Sequence, residues 1–121
     1  DKLFGLDDVN TSKLVYVLEG PIDSMFVWNS VAMAGSDGTI KFDNYTMVYD
    51  NEPRNKEIIA KMKKSIKMGR KIVVWPSSVE HKDINDMIMS DMSQADVKLL
   101  LDMNTHKGLM AEMALSVWSK I

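Results

Sequence analysis

Six acidic residues stand where apolar runs end, and their placement is the chemistry this sequence offers. Glu19 directly follows the run Leu14-Val15-Tyr16-Val17-Leu18, and Asp23 lies one helical turn beyond it. Asp50 and Glu52 directly follow Tyr45-Thr46-Met47-Val48-Tyr49, and Asp83 and Asp86 follow Lys71-Ile72-Val73-Val74-Trp75 after a short loop. In an open parallel sheet, the loops at the carboxyl ends of the strands line the ligand crevice. Three pairs of carboxylates are thereby placed to converge on one edge. Gathered carboxylates repel one another and raise each other's pKa unless a cation neutralises them. With no Cys and no well-placed His, oxygen-only ligation favours Mg²⁺ or Mn²⁺ over Zn²⁺.

Each pair also has a plain structural reading. Asp83 with Asp86 suits a helix N-cap and its companion, acting on free backbone N–H groups. Asp50, Asn51 and Glu52 before Pro53 suit a helix start, where the macrodipole favours negative charge, and Asp23 suits a solvated first turn. Glu19 is harder to place in that way, because a carboxylate where a buried strand becomes a helix is costly without a partner.

The elements that must position these acids follow from Gly and Pro punctuation. The run 14–18 is continuous, apolar and β-branched, as in a parallel strand buried on both faces. Pro21 opens a helix with Ile22, Met25, Phe26 and Val27 as its apolar stripe. A second strand is expected over 30–34, a third over 45–49 and a fourth over 71–75. Ile58, Ile59, Met62 and Ile66 recur at helical spacing, with lysines on the opposite face and Gly69 as the stop. Shorter helices are expected over 83–90 and 95–103, and a terminal one over 107–121 with Met110, Ala114, Val117, Trp118 and Ile121 as its stripe. The expected fold is α/β: a mainly parallel, Rossmann-like sheet of about four strands, helices on both faces and a C-terminal helical tail. Residues 1–94 would form the body of this single structural domain, and 95–121 a helical extension packed on it.

Composition agrees with an ordinary globular domain: 121 residues, 45% hydrophobic and 26% charged. The absence of Cys excludes disulfides, thiolate zinc sites and a Cys nucleophile. No apolar run approaches the ~20 residues of a membrane span. The net charge of −2 lacks the basic excess of a protein that grips nucleic acid unaided, so local patches or further domains would have to supply that grip. A start at Asp1 without a targeting pattern reads as a processed product or an excised piece.

The motifs around these acids resemble a known family. Glu19-Gly20-Pro21-Ile22-Asp23 resembles the first Toprim motif, an apolar strand ending in Glu-Gly with an Asp four residues after the Glu. Val48-Tyr49-Asp50-Asn51-Glu52 resembles the second, strand-Asp-x-Asp, with Glu in the last place. Lys82-Asp83-Ile84-Asn85-Asp86 is similar to the Lys-Asp-x-Asn-(Asp/Glu) segment of phage-type primases. Tyr16 through Ser24, Asp50-Asn51-Glu52-Pro53-Arg54, the segment 83–88 and Gly108-Leu109-Met110-Ala111 together resemble the C-terminal part of the DNA primases of T4-type bacteriophages. Four separated motifs in order, from about residue 14 onward, carry the resemblance.

The resemblance implies template-directed joining of ribonucleotides into short RNA primers on single-stranded DNA, with divalent metal held by these acids. Asp50, Glu52 and Asp83 would hold Mg²⁺ or Mn²⁺, with Asp86 the least secured because it can serve the helix instead. Glu19 would act as metal ligand or general base on the attacking 3′-hydroxyl, and Asp23 would support it. Phosphoryl transfer is mainly positioning and charge neutralisation, which metal-bearing carboxylates supply. Arg54 and Lys82 are candidates for triphosphate or template phosphate, with Lys56 and Lys71 also placed near the acidic edge. The implied partners are ribonucleoside triphosphates, the template, the phage replicative helicase and a Cys-rich N-terminal zinc-binding domain absent from this chain. The implied setting is the cytoplasm of an infected bacterial host. Glu52 departs from the commoner Asp by one methylene, which alters the metal geometry.

The remaining residues read as structure. His81 and His106 are isolated and suit surface polar roles. Met62, Met87, Met110 and Met113 fall on stripes and suit core filling, as do Trp28, Trp75 and Trp118. Three other functions compete. A Toprim nuclease would shorten single-stranded DNA with Mg²⁺, whereas a primase would make nucleotide-dependent products. A phosphoacceptor domain with Asp50 at its centre wants an acidic pair where Glu19-Gly20 stands. A non-catalytic module would dock the helicase through the C-terminal helices.

Overall fold

A computed structural model describes residues 3–4, 9–20, 23, 25–33 and 43–120, with backbone only at 3–4. Its sheet has six strands among the described residues: β1 (Leu3–Phe4), β2 (Val15–Leu18), β3 (Ser30–Met33), β4 (Tyr45–Val48), β5 (Lys71–Val73) and β6 (Thr105–His106), in the order β1-β3-β2-β4-β5-β6. The four inner strands are parallel, as the apolar runs predict, and the two-residue strands β1 and β6 close the edges antiparallel. The helices are α1 (Lys56–Lys67), α2 (Ile84–Met89), α3 (Gln94–Met103) and α4 (Gly108–Trp118). Asp23 is helical, but Pro21, Ile22 and Ser24 of the first expected helix lie outside the described residues, as does Ile121; 25–29 form turns rather than helix, and Met25 of the expected stripe is exposed.

Strand alternation shows how both faces are covered. Tyr16 and Thr46 are register partners, so they share one face, and Met47 points to the other. Tyr16 donates its hydroxyl proton to Asp102 of α3, which places α3 on the first face. Two residues beyond Met47, the Tyr49 hydroxyl meets Ser65 Oγ of α1 at 2.6 Å, which places α1 on the second, and α4 packs against α1. All four residues of β2 are therefore buried. Burial of that sheet, together with Met62, Met87, Val97, Leu101 and Trp118, makes one continuous core.

Helix ends follow local chemistry. Asn55 caps α1 by accepting from the Glu57 and Ile58 N–H groups. Gly69 stops it at φ +79°, where Arg70 N–H reaches back to the Ser65 carbonyl at 3.1 Å. Ser93 and Asp96 form a reciprocal capping box on α3.

Expectations about burial are corrected at Trp28 and along α4. Trp28 is 56% exposed, with Lys13 Nζ 5.6 Å from its ring centroid, so it is a surface residue. Met110 and Met113 are 62% and 58% exposed, and Val117 is 70% exposed. The buried stripe of α4 is instead Ala111, Leu115 and Trp118. A helix apolar over most of its circumference does not reveal from periodicity which side meets the core.

Thr46 Oγ1 is buried with no hydrogen-bond partner among the described residues. An unpaired buried hydroxyl is unfavourable, so Thr46→Val, which keeps its shape, is expected to raise stability by about 0.5–1 kcal/mol, read as a higher melting temperature.

Candidate functional site

The six acids come from three chain segments that the parallel order β2-β4-β5 delivers to one edge. Glu19 extends β2, Asp50 and Glu52 extend β4, and Asp83 with Asp86 begin α2 after the loop from β5. Glu19 is held from two sides. Its Oε1 accepts the Asp50 N–H at 2.9 Å, and its Oε2 faces Lys61 Nζ at 3.3 Å. Lys61 belongs to α1, whose lysines the sequence reading assigns to solvent. One of them turns to the acidic edge and neutralises the carboxylate that had no evident partner.

Asp23 and Asp83 share the N-terminus of α2. Asp83 Oδ1 accepts the Asp86 N–H at 2.9 Å as the helix N-cap, and Asp23 Oδ1 accepts the Asn85 N–H at the same distance. The capping role expected of Asp83 is thus present. The helix-start reading of Asp50 is not, because Asn55, five residues on, caps α1.

Electrostatics follow from this crowding. Burial pushes the Asp50 carboxyl from its ordinary 3.8 up to about 7, with Glu19, Asp23, Asp83 and Glu52 adding repulsion. Burial also raises Asp23, opposed by the Asn85 hydrogen bond and reinforced by Asp83, Asp86 and Glu19. All six acids therefore act on one another through these two residues. Among the described residues, no three His, Cys, Asp or Glu side chains stand close enough together to hold a metal ion as they are. The donors are nonetheless all oxygen, and their shared negative potential is of the kind a hard divalent cation relieves.

The loops that carry the acids are fixed by Asn51, a residue whose sequence position suggests only a helix start. Asn51 donates through Nδ2 to the Val79 and His81 carbonyls, each at 3.0 Å, and its own N–H reaches the Lys82 carbonyl at 2.6 Å. Its Oδ1 accepts from Trp118 Nε1 at 2.9 Å. One side chain thus ties the Asp50–Glu52 segment, the approach to Asp83 and α4 together. An Asn between two acids carries no local signal of this role.

Of the cationic candidates, Arg54 is exposed beside Glu52 in a shallow cleft with Pro53 and Asn55, and Lys82 is exposed next to Asp83. Lys71 is corrected. It begins β5, at the opposite end of the sheet, and donates to Asn44 Oδ1 at 2.8 Å. His81 Nε2 pairs with Ser90 Oγ at 3.0 Å, a surface polar contact. No helix of the described residues is long and apolar enough to cross a membrane.

No protein-family profile matches the chain. A curated protein does: the DNA primase of Enterobacteria phage T4 is 36% identical over 126 aligned positions, covering 99% of this chain. The chain spans 36% of that protein's length. With identity sustained along nearly the whole chain, this α/β domain with its acidic edge is related to a part of a phage DNA primase.

Proposed function

We propose that this chain is the catalytic Toprim portion of a phage primase, joining ribonucleotides on a single-stranded DNA template by metal-dependent nucleotidyl transfer. The observation that carries this reading is the convergence of Glu19, Asp23, Asp50, Glu52, Asp83 and Asp86 on one sheet edge, where Asp50 is raised to about 7. A lone helix-cap acid has no reason to gather five others around it. Similarity to a DNA primase over 99% of the chain supports the same reading.

In this reading Asp50, Glu52 and Asp83 hold Mg²⁺ or Mn²⁺, with Asp86 at the margin. The cation supplies neutralisation of the phosphates and of the charge that develops between them. Glu19, oriented by the Asp50 N–H and by Lys61, would ligate the cation or take the proton of the attacking 3′-hydroxyl. Asp23 positions α2, and with it Asp83, through its bond to the Asn85 N–H. Arg54 and Lys82 flank the edge as the cations for triphosphate or template phosphate. The zinc-binding domain and the replicative helicase are the partners this reading carries, and the infected host's cytoplasm is its setting.

Calorimetric Mn²⁺ titration tests the metal assignment without template or nucleotide. Saturable binding that Asp50→Asn and Asp83→Asn each weaken by about tenfold is expected, the scale of one lost carboxylate contact. Binding indifferent to both substitutions would leave these acids as helix-end and loop residues.

A further inference from the structure

The net charge of −2 hides a strong asymmetry. Residues 54–71 hold eight of the fifteen Lys and Arg and one of the seventeen Asp and Glu. Most of this charge lies on α1, where Lys56, Lys63 and Lys67 recur at i, i+7 and i+11 and so fall in one row along the helix, about 16 Å from end to end. All three are exposed. Neither Lys63 nor Lys67 has an ion-pair partner among the described residues.

Two further features distinguish this row from an ordinary solvated helix face. It starts beside Arg54, in the cleft that contains Glu52, so it runs away from the acidic edge rather than lying apart from it. At its far end Lys63 and Lys67 form one wall of a groove of about 320 Å³ between α1 and α4. Glu112, Leu115, Ser116 and Ser119 line its other side, with the Ser119 hydroxyl donating to the Ser116 carbonyl at 3.3 Å, and Ile66 contributes apolar surface. Cations beside apolar surface match a charged backbone with sugars and bases between its phosphates.

Resting on the catalytic reading above, we infer that Arg54, Lys56, Lys63 and Lys67 form a track for the phosphate backbone of a single nucleic-acid strand, ending in the α1–α4 groove. The densest run of positive charge in the sequence thus leads a strand to or from the acidic edge, where the carboxylates alone would repel it. Glu112 opposes the strand at the end of the track.

The test is fluorescence anisotropy of a labelled oligothymidylate with this chain, in chelator and without nucleotides, so that its outcome is independent of catalysis. Binding that weakens with salt is expected. Lys63→Ala with Lys67→Ala should lower affinity by about tenfold near about 100 mM salt and reduce the salt slope by about 1.4, two phosphate contacts on a single strand. Glu112→Gln should tighten binding, a gain that a damaged fold cannot mimic. Undetectable binding by the unsubstituted chain at low salt overturns the track, and so does binding that ignores both the lysine pair and Glu112. Co-sedimentation with phosphatidylserine vesicles that depends on these lysines, beside oligonucleotide binding that does not, would assign the row to a lipid surface and also overturn it. Loss of nucleotide joining in Asp50→Asn with an unaltered lysine variant would retain the catalytic reading and reject the track.

Discussion

On the catalytic reading proposed above, Asp50→Asn is expected to lower template-dependent nucleotide joining by the full-length protein by roughly 10²–10³-fold, the scale of removing one charge-stabilising group. The same substitution is expected to stabilise the chain when no metal is present. Asp50 keeps its proton up to about pH 7 in the folded state, because burial and four neighbouring carboxylates disfavour its charge. In the unfolded chain it releases that proton near 3.8. Between these values the folded state binds more protons, so stability falls as pH rises from about 4 to 7 and the full penalty holds above that. The side chain is half-buried, so solvent screening reduces the effect to about 1 kcal/mol, or about 4 °C in melting temperature. The two proteins should melt alike at about pH 4 and diverge by about pH 8, with the substituted chain the more stable. Mn²⁺ should narrow the gap by stabilising the unsubstituted chain. A variant that loses activity and stability together would contradict the acidic-edge account.

Trp118→Ala is expected to destabilise the chain by about 3–5 kcal/mol, the range for emptying a large buried aromatic site. Trp118 is fully enclosed and fixes α4 to the core, and its indole N–H is bonded to Asn51. Trp118→Phe separates the two contributions. It keeps most of the packing but leaves Asn51 Oδ1 without its donor, at about 1–3 kcal/mol. Because Asn51 also grips the Val79, His81 and Lys82 backbone, this milder variant should remain folded yet bind Mn²⁺ less tightly. Chemical denaturation alongside the calorimetric titration reads both effects.

The parallel centre of the sheet was legible in the sequence because its strands are continuous apolar runs, buried on both faces and ended by Gly, Pro or acids. The acidic edge was legible for the same reason, since parallel topology fixes which strand ends coincide. The edge strands β1 and β6 were not, because two residues are too short for any periodic signal. The roles of Lys61 and Asn51 are not legible locally, because they arise from contacts with residues 42 positions away in one case and 67 in the other. Trp28 and the α4 methionines are exposed despite their hydrophobicity, which alone does not state which side of an element faces the core. Lys71 is near a functional strand in sequence, but it stands where that strand begins rather than where it ends.

The contacts that lock β2 in the middle of the sheet reach far along the chain: Tyr16 to Asp102 spans 86 positions. Closing such loops is slow, since their entropy must be lost before the contacts form. Until the segment 94–118 arrives, β5 lacks β6 along its outer edge, and Tyr16 of β2 lacks Asp102. A ribosome-bound chain that has not yet released this segment would hold a partial sheet able to pair with its neighbours. The arrival of β6 covers the β5 edge, and α3 and α4 cover the two faces.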